Sequence, residues 1–85
     1  MGIYDFNILN EHDKYDCVFT RGQFVDVVSD NHIKYVLYSV SYFWVEVRYD
    51  TQTNKIIGIA SFVSGTSLNR YSNVPKVQKT VIVYH

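Results

Sequence analysis

Ahead of Gly22 the apolar residues recur at helical spacing, whereas from Gln23 to Val63 they alternate with polar residues at a period of two. In the first stretch Asn10 is suited to a helix N-cap, and Glu11 and Asp13 place negative charge in the first turn. Gly22 stands where a closing glycine belongs, so the spacing predicts a helix from Glu11 to Arg21. Tyr15, Val18 and Phe19 fall on one apolar stripe of that helix and are expected to face a core, with Cys17 off the stripe. Ile3, Phe6 and Leu9 predict a shorter helical turn folding onto the same core.

The period-two region divides at its turn residues. Val25 and Val27 alternate with Asp26 in a first strand, and Asp30-Asn31 tolerates the positive φ that tight hairpins require. A second strand is expected from His32 to Val40 and a third from Tyr42 to Asp50, with the break near Ser39 to Ser41. Phe43, Val45, Val47 and Tyr49 of the third strand point to one side, and Trp44, Glu46 and Arg48 to the other. The run Asp50-Thr51-Gln52-Thr53-Asn54-Lys55 predicts a hairpin loop in which Asp50 bonds the turn backbone and Asn54 takes the left-handed position. A fourth strand follows from Lys55 to Val63, and Gly58 inside it marks a bulge or a close approach.

Beyond Val63 the chain turns polar. Leu68 and Tyr71 fit one short helical turn capped by Thr66 or Ser67, and the terminal KTVIVYH reads as a fifth strand. The expected fold is α+β: N-terminal helical segments packed on an antiparallel β-meander of four to five strands. It is one domain over 1–85, with 1–22 helical, 23–63 the meander, 64–75 a connecting loop and 76–85 the C-terminal strand.

Composition narrows the function classes. Hydrophobic residues make up 47% of the chain and aromatics 16%, enough for a packed core. Eight basic residues balance eight acidic ones, so net charge lends no attraction to nucleic acid or to an anionic membrane. One cysteine, Cys17, forbids an intrachain disulfide and predicts a reducing compartment, the cytoplasm. The N-terminus lacks the basic and apolar segments of a secretory signal, and no window reaches about 20 apolar residues, so no membrane association is expected.

The reactive residues are scattered. His12, His32 and His85 fall on a helix start, a turn and the terminus, and no histidine pair or Cys/His pair has metal-ligand spacing. A site built from Asp13, Asp16 and Asp50 would need the fold to gather distant carboxylates. Cys17 has no base in register on its helix, and the four glycines are isolated, which removes a phosphate-binding loop. Glu46 is expected to pair with Arg48 or a cross-strand lysine at a surface. The sequence therefore predicts no catalytic residues, no metal and no cofactor.

The block KYVLYSVSYFWVEVRYDTQTNKIIGIASF, preceded by EHDKYDCVFTRGQFV, resembles a group of short uncharacterised bacterial proteins in which a helical N-terminus leads through a glycine into a meander with a VEVxYDxxTNKI hairpin. The resemblance spans roughly residues 3–63. It implies a small bacterial protein of the immunity or anti-defence kind, such as an anti-CRISPR protein, and it assigns no site residue.

Aromatic residues, by contrast, are concentrated on strands. Trp44 shares a face with Glu46 and Arg48, Tyr42 lies in line with Trp44, and Tyr38 shares a face with Lys34. Either the N-terminal helices or the C-terminal strand cover these rings, or they form an exposed aromatic and arginine patch of the kind enriched at protein interfaces. On the second reading the partner-binding residues are Tyr38, Tyr42, Trp44, Glu46, Arg48, Arg70 and Tyr71. The protein is then a non-enzymatic inhibitor that occludes or locks a larger bacterial protein, such as a nuclease or a nucleoprotein complex. The alternative is single-stranded nucleic-acid binding, with Tyr38, Tyr42 and Trp44 stacking bases and Lys34, Arg48 and Lys55 contacting phosphates. A homodimer through the VIVY edge is compatible with either.

Overall fold

The computed structural model describes residues 1–65, 68, 69 and 71. These form two helices, α1 (Ile3–Asn7) and α2 (Glu11–Arg21), and one antiparallel sheet of four strands in sequential order: β1 (Gln23–Asp30), β2 (Ile33–Val40), β3 (Phe43–Asp50) and β4 (Lys55–Phe62). The architecture is the expected α+β arrangement. The expected fifth strand, 76–85, and Arg70 lie outside the described residues.

Local chemistry sets the boundaries. The Asn10 side chain accepts the Asp13 backbone N–H at 2.8 Å, which caps α2. Gly22 ends the helix in the predicted place but not by a left-handed turn, since its φ of −76° and ψ of 152° are extended. Its lack of a side chain matters for a different reason: a Cβ there would stand 2.5 Å from the Val18 carbonyl oxygen and 3.4 Å from the Tyr38 Cβ. The chain leaves α2 directly beneath its own last turn, and only glycine fits that approach.

Each two-residue loop places a positive φ at its first residue, Asn31 (57°) between β1 and β2 and Ser41 (54°) between β2 and β3. The first loop is therefore Asn31-His32, one residue later than Asp30-Asn31. The four-residue loop 51–54 closes as expected: Asp50 accepts the Gln52 N–H at 2.9 Å, and Asn54 is left-handed at 59°. Both outer strands of the described sheet carry a bulge: the register shifts at Val25, between the pairs Phe24–Tyr38 and Asp26–Leu37, and at Ile57, between Arg48–Gly58 and Tyr49–Ile56.

The helices cover one face of the sheet. Phe6, Cys17 and Val18 pack with Val40, Phe43, Val45 and Val47 into the main core, in which burial of each valine stabilises by about 1.5–3 kcal/mol. A hydrogen bond from the Ser61 hydroxyl to the Asn7 side-chain carbonyl ties α1 to β4. The buried residues of α2 are Cys17 and Val18, not the stripe Tyr15, Val18 and Phe19. The helix is rolled so that Phe19 rests on the shoulder over Tyr38, half exposed, while Cys17 points down.

Candidate partner-binding face

The second face of the sheet carries its own core. Alternation along β3 sends Trp44, Glu46 and Arg48 to this side, and the register places them in rows with Ser39, Leu37 and Tyr35 of β2 and with Phe62, Ala60 and Gly58 of β4. A 3₁₀ turn at Leu68 and Asn69 lies over the middle row, held by Leu68 N–H to Gly65 C=O and Tyr71 N–H to Leu68 C=O, each 3.2 Å. Leu68 and Tyr71 are buried with Leu37, flanked by Val25, Val28, Tyr35, Trp44 and Phe62. What the sequence presents as a connector is thus the cover of this face. Among the described residues the cover comes from this turn and not from the helices.

Glu46 lies at the centre and is fully buried. Its Oε2 accepts the Tyr71 hydroxyl at 2.7 Å, and its Oε1 accepts Arg48 Nε–H at 2.9 Å. The expected exposed Glu46–Arg48 pair is therefore an ion pair sunk at one end: the Glu46 side chain is 1% exposed and the Arg48 side chain 42%. Burial raises the cost of leaving the carboxylate unpaired, which makes both donors structural requirements. The Arg48 side chain crosses β4 at Gly58, where an added Cβ would lie 3.6 Å from Arg48 Cδ and 3.9 Å from Nη1. These are ordinary van der Waals distances, so the arginine lies against this position without requiring glycine there.

At the opposite end of the face an open cleft of about 310 Å³ is lined by Ser39, Ser41, Tyr42, Phe43, Trp44 and Val63. Tyr42 stands at the hairpin tip with 94% of its surface exposed, and Val63 is 59% exposed. Ser41, beside it, holds a left-handed backbone that serine seldom adopts. A large aromatic ring so exposed, next to a half-buried tryptophan, is available for contact at little cost in ordering.

Tyr38 is separated from this group. It pairs with Val45 and so lies on the helix side, and Lys34 shares that side with its ammonium 5.1 Å from the centre of the Tyr49 ring. Tyr38 belongs to a ladder of four rings that sequence reading missed: Tyr15 over Phe19 (6.4 Å), Phe19 against Tyr38 (5.9 Å) and Phe24 against Tyr38 (6.4 Å). Burial raises the Tyr38 hydroxyl above its usual pKa, helped by Tyr49. Tyr15 is raised by burial and then by the Glu11 carboxylate and Tyr49. Of the predicted residues, the structure places Tyr42, Trp44, Glu46, Arg48 and Tyr71 on one side. Of these, Glu46 and Tyr71 are buried and act as supports.

The remaining candidates stay apart from this face. Cys17 is buried with its Sγ 3.4 Å from Met1 Sδ. His12, Asp13 and Asp16 converge on the exposed side of α2, with ligand atoms within 4.8 Å of one another, while Asp50 is distant at the end of β3. The His32 carbonyl accepts the backbone N–H of Thr51 at 2.8 Å and joins the two loops at that end. No helix among the described residues is long and apolar enough to cross a membrane. Comparison with protein families, curated proteins and solved structures gave no match to this chain.

Proposed function

We propose that the protein is a non-enzymatic protein-binding module that inhibits a larger bacterial enzyme, in the manner of anti-defence proteins such as anti-CRISPR proteins or of immunity proteins. It acts by occluding the enzyme or locking one conformation. The observation that carries this reading is the hairpin tip, where Tyr42 projects almost wholly into solvent beside the cleft formed with Trp44 and Val63. Aromatic anchors of this kind dominate the energetics of protein interfaces.

The stacking-platform reading is less well supported. Tyr38 and Lys34 are on the other side of the sheet from Trp44, so three rings and three cations do not line one strand-binding track. Fluorescence of Trp44 titrated with single-stranded oligonucleotides at two salt concentrations separates the two: protein binding predicts no salt-dependent response.

The direct experiment is affinity capture from lysate of the source cells with the full chain and with Tyr42→Ala. A partner retained in stoichiometric amount by the full chain and lost with the variant, at unchanged melting temperature, supports the proposal. Equal retention by both removes the hairpin tip from the interface. Light scattering on the full chain and on one ending at Pro75 tests the homodimer through 76–85.

A further inference from the structure

The Glu46–Arg48 pair has one asymmetry. Glu46 is wholly buried and its two oxygens are engaged by Tyr71 and by Arg48 Nε, but Arg48 uses only Nε in this contact. Its terminal nitrogens, Nη1 and Nη2, make no hydrogen bond with the described residues. They lie at the exposed end of a side chain whose stem is fixed by the buried carboxylate and laid across Gly58.

We infer that Arg48 is a preorganised carboxylate receptor, and that its Nη1 and Nη2 take a bidentate contact from an aspartate or glutamate side chain of the protein partner. Two physical arguments support this. An arginine ordinarily loses rotamer freedom when it forms a fork-to-fork contact, and here that freedom is already spent in the free protein on the Nε–Oε1 bond. Planarity favours the same ligand, because the two outer nitrogens of a guanidinium match the two oxygens of a carboxylate.

This inference rests on the protein-binding reading for the source of the carboxylate. The site itself is testable without the partner. The probe is the capped tripeptide Ac-Ala-Glu-Ala-NH₂, with Ac-Ala-Gln-Ala-NH₂ as the uncharged control and inorganic phosphate as the second arm. Guanidinium resonances of the full chain are followed by NMR, and exposed Arg21 at the end of α2 serves as the internal reference. The Arg48 signals should saturate with the glutamate peptide at an affinity about 5-fold or more above that of Arg21, with no response to the glutamine peptide. Gly58→Leu, if folded by circular dichroism, should bring the Arg48 response down to that of Arg21 by crowding the space across which the arginine side chain lies. Equal responses of Arg48 and Arg21 in the unsubstituted protein overturn the inference, and so does a tighter response to phosphate than to the glutamate peptide. Either result leaves the protein-binding reading standing, since that is decided by the Tyr42→Ala capture.

Discussion

Replacing Tyr71 by Phe removes one hydroxyl from a fully buried ring and leaves its shape, so no cavity opens. What is lost is the 2.7 Å hydrogen bond to Glu46 Oε2. A hydrogen bond to a charged group contributes about 1.5–3 kcal/mol. Arg48 Nε still engages the carboxylate, so the lower part of that range applies, about 1.5–2 kcal/mol. A chain of this size has a total stability of roughly 4–13 kcal/mol. The melting temperature should therefore fall by about 6–16 °C. Urea unfolding followed by circular dichroism and by Trp44 fluorescence measures it, and the slope with denaturant should stay unchanged because no surface is newly exposed. A double-mutant cycle with Glu46→Gln then isolates the pair, with an expected coupling of about 1 kcal/mol or more. A loss below about 0.5 kcal/mol, or an equal loss in the Glu46→Gln background, would refute the assignment of Glu46 as the anchor of the covering turn.

Other substitutions test other parts of the fold. Ser41→Asn supplies a residue suited to the left-handed position that Asn31 already fills in the sister hairpin, and should raise stability by about 0.5 kcal/mol in thermal unfolding. Gly22→Ala drives a methyl against the Val18 carbonyl and should cost about 1–3 kcal/mol; a neutral effect would show that the end of α2 yields easily. Because Tyr38 and Tyr15 are raised in the folded protein, the folded state holds their protons more tightly than the unfolded state does. Their contribution is complete below the ordinary tyrosine pKa of 10.0 and is lost as pH rises through their higher folded values. Stability should thus decline above that pH, and absorbance of tyrosinate should show these two rings titrating above the ordinary tyrosine value. Tyr38→Phe should reduce the alkaline loss.

Much of the architecture was legible because local signals coincide. Asn10, the acids after it and Gly22 bracket α2, and the β3 alternation assigns every one of its side chains to the correct face. Three of the readings that failed did so for identifiable reasons. The β2 run Tyr35-Val36-Leu37-Tyr38 is apolar on both sides, so alternation does not orient it. Only the two-residue loop at Ser41-Tyr42, which pairs Val40 with Phe43, sets Tyr38 opposite Val45 and away from Trp44. Phe19 was misplaced because an aromatic on the flank of a helix can bridge to rings beside it without being enclosed. The cover of the second face escaped notice because two residues, Leu68 and Tyr71, have no period. The buried state of Glu46 follows from that cover, and nothing in the strand itself announces it.

The two bulges have a consequence for assembly. At the borders of the described sheet, a strand that bonded to β1 or β4 would meet a break two residues from one end, at Val25 on one side and Ile57 on the other, where the edge twists and its spacing of donors and acceptors shifts, with five regular residues beyond it. Regular pairing along the full length of either border is thereby interrupted, and the break adds to the charges of Asp26 and Asp30 on β1 and of Lys55 on β4 in opposing strand addition. Recognition at these borders falls to side chains that reach past them, and specificity becomes a matter of which rings and charges the neighbour presents.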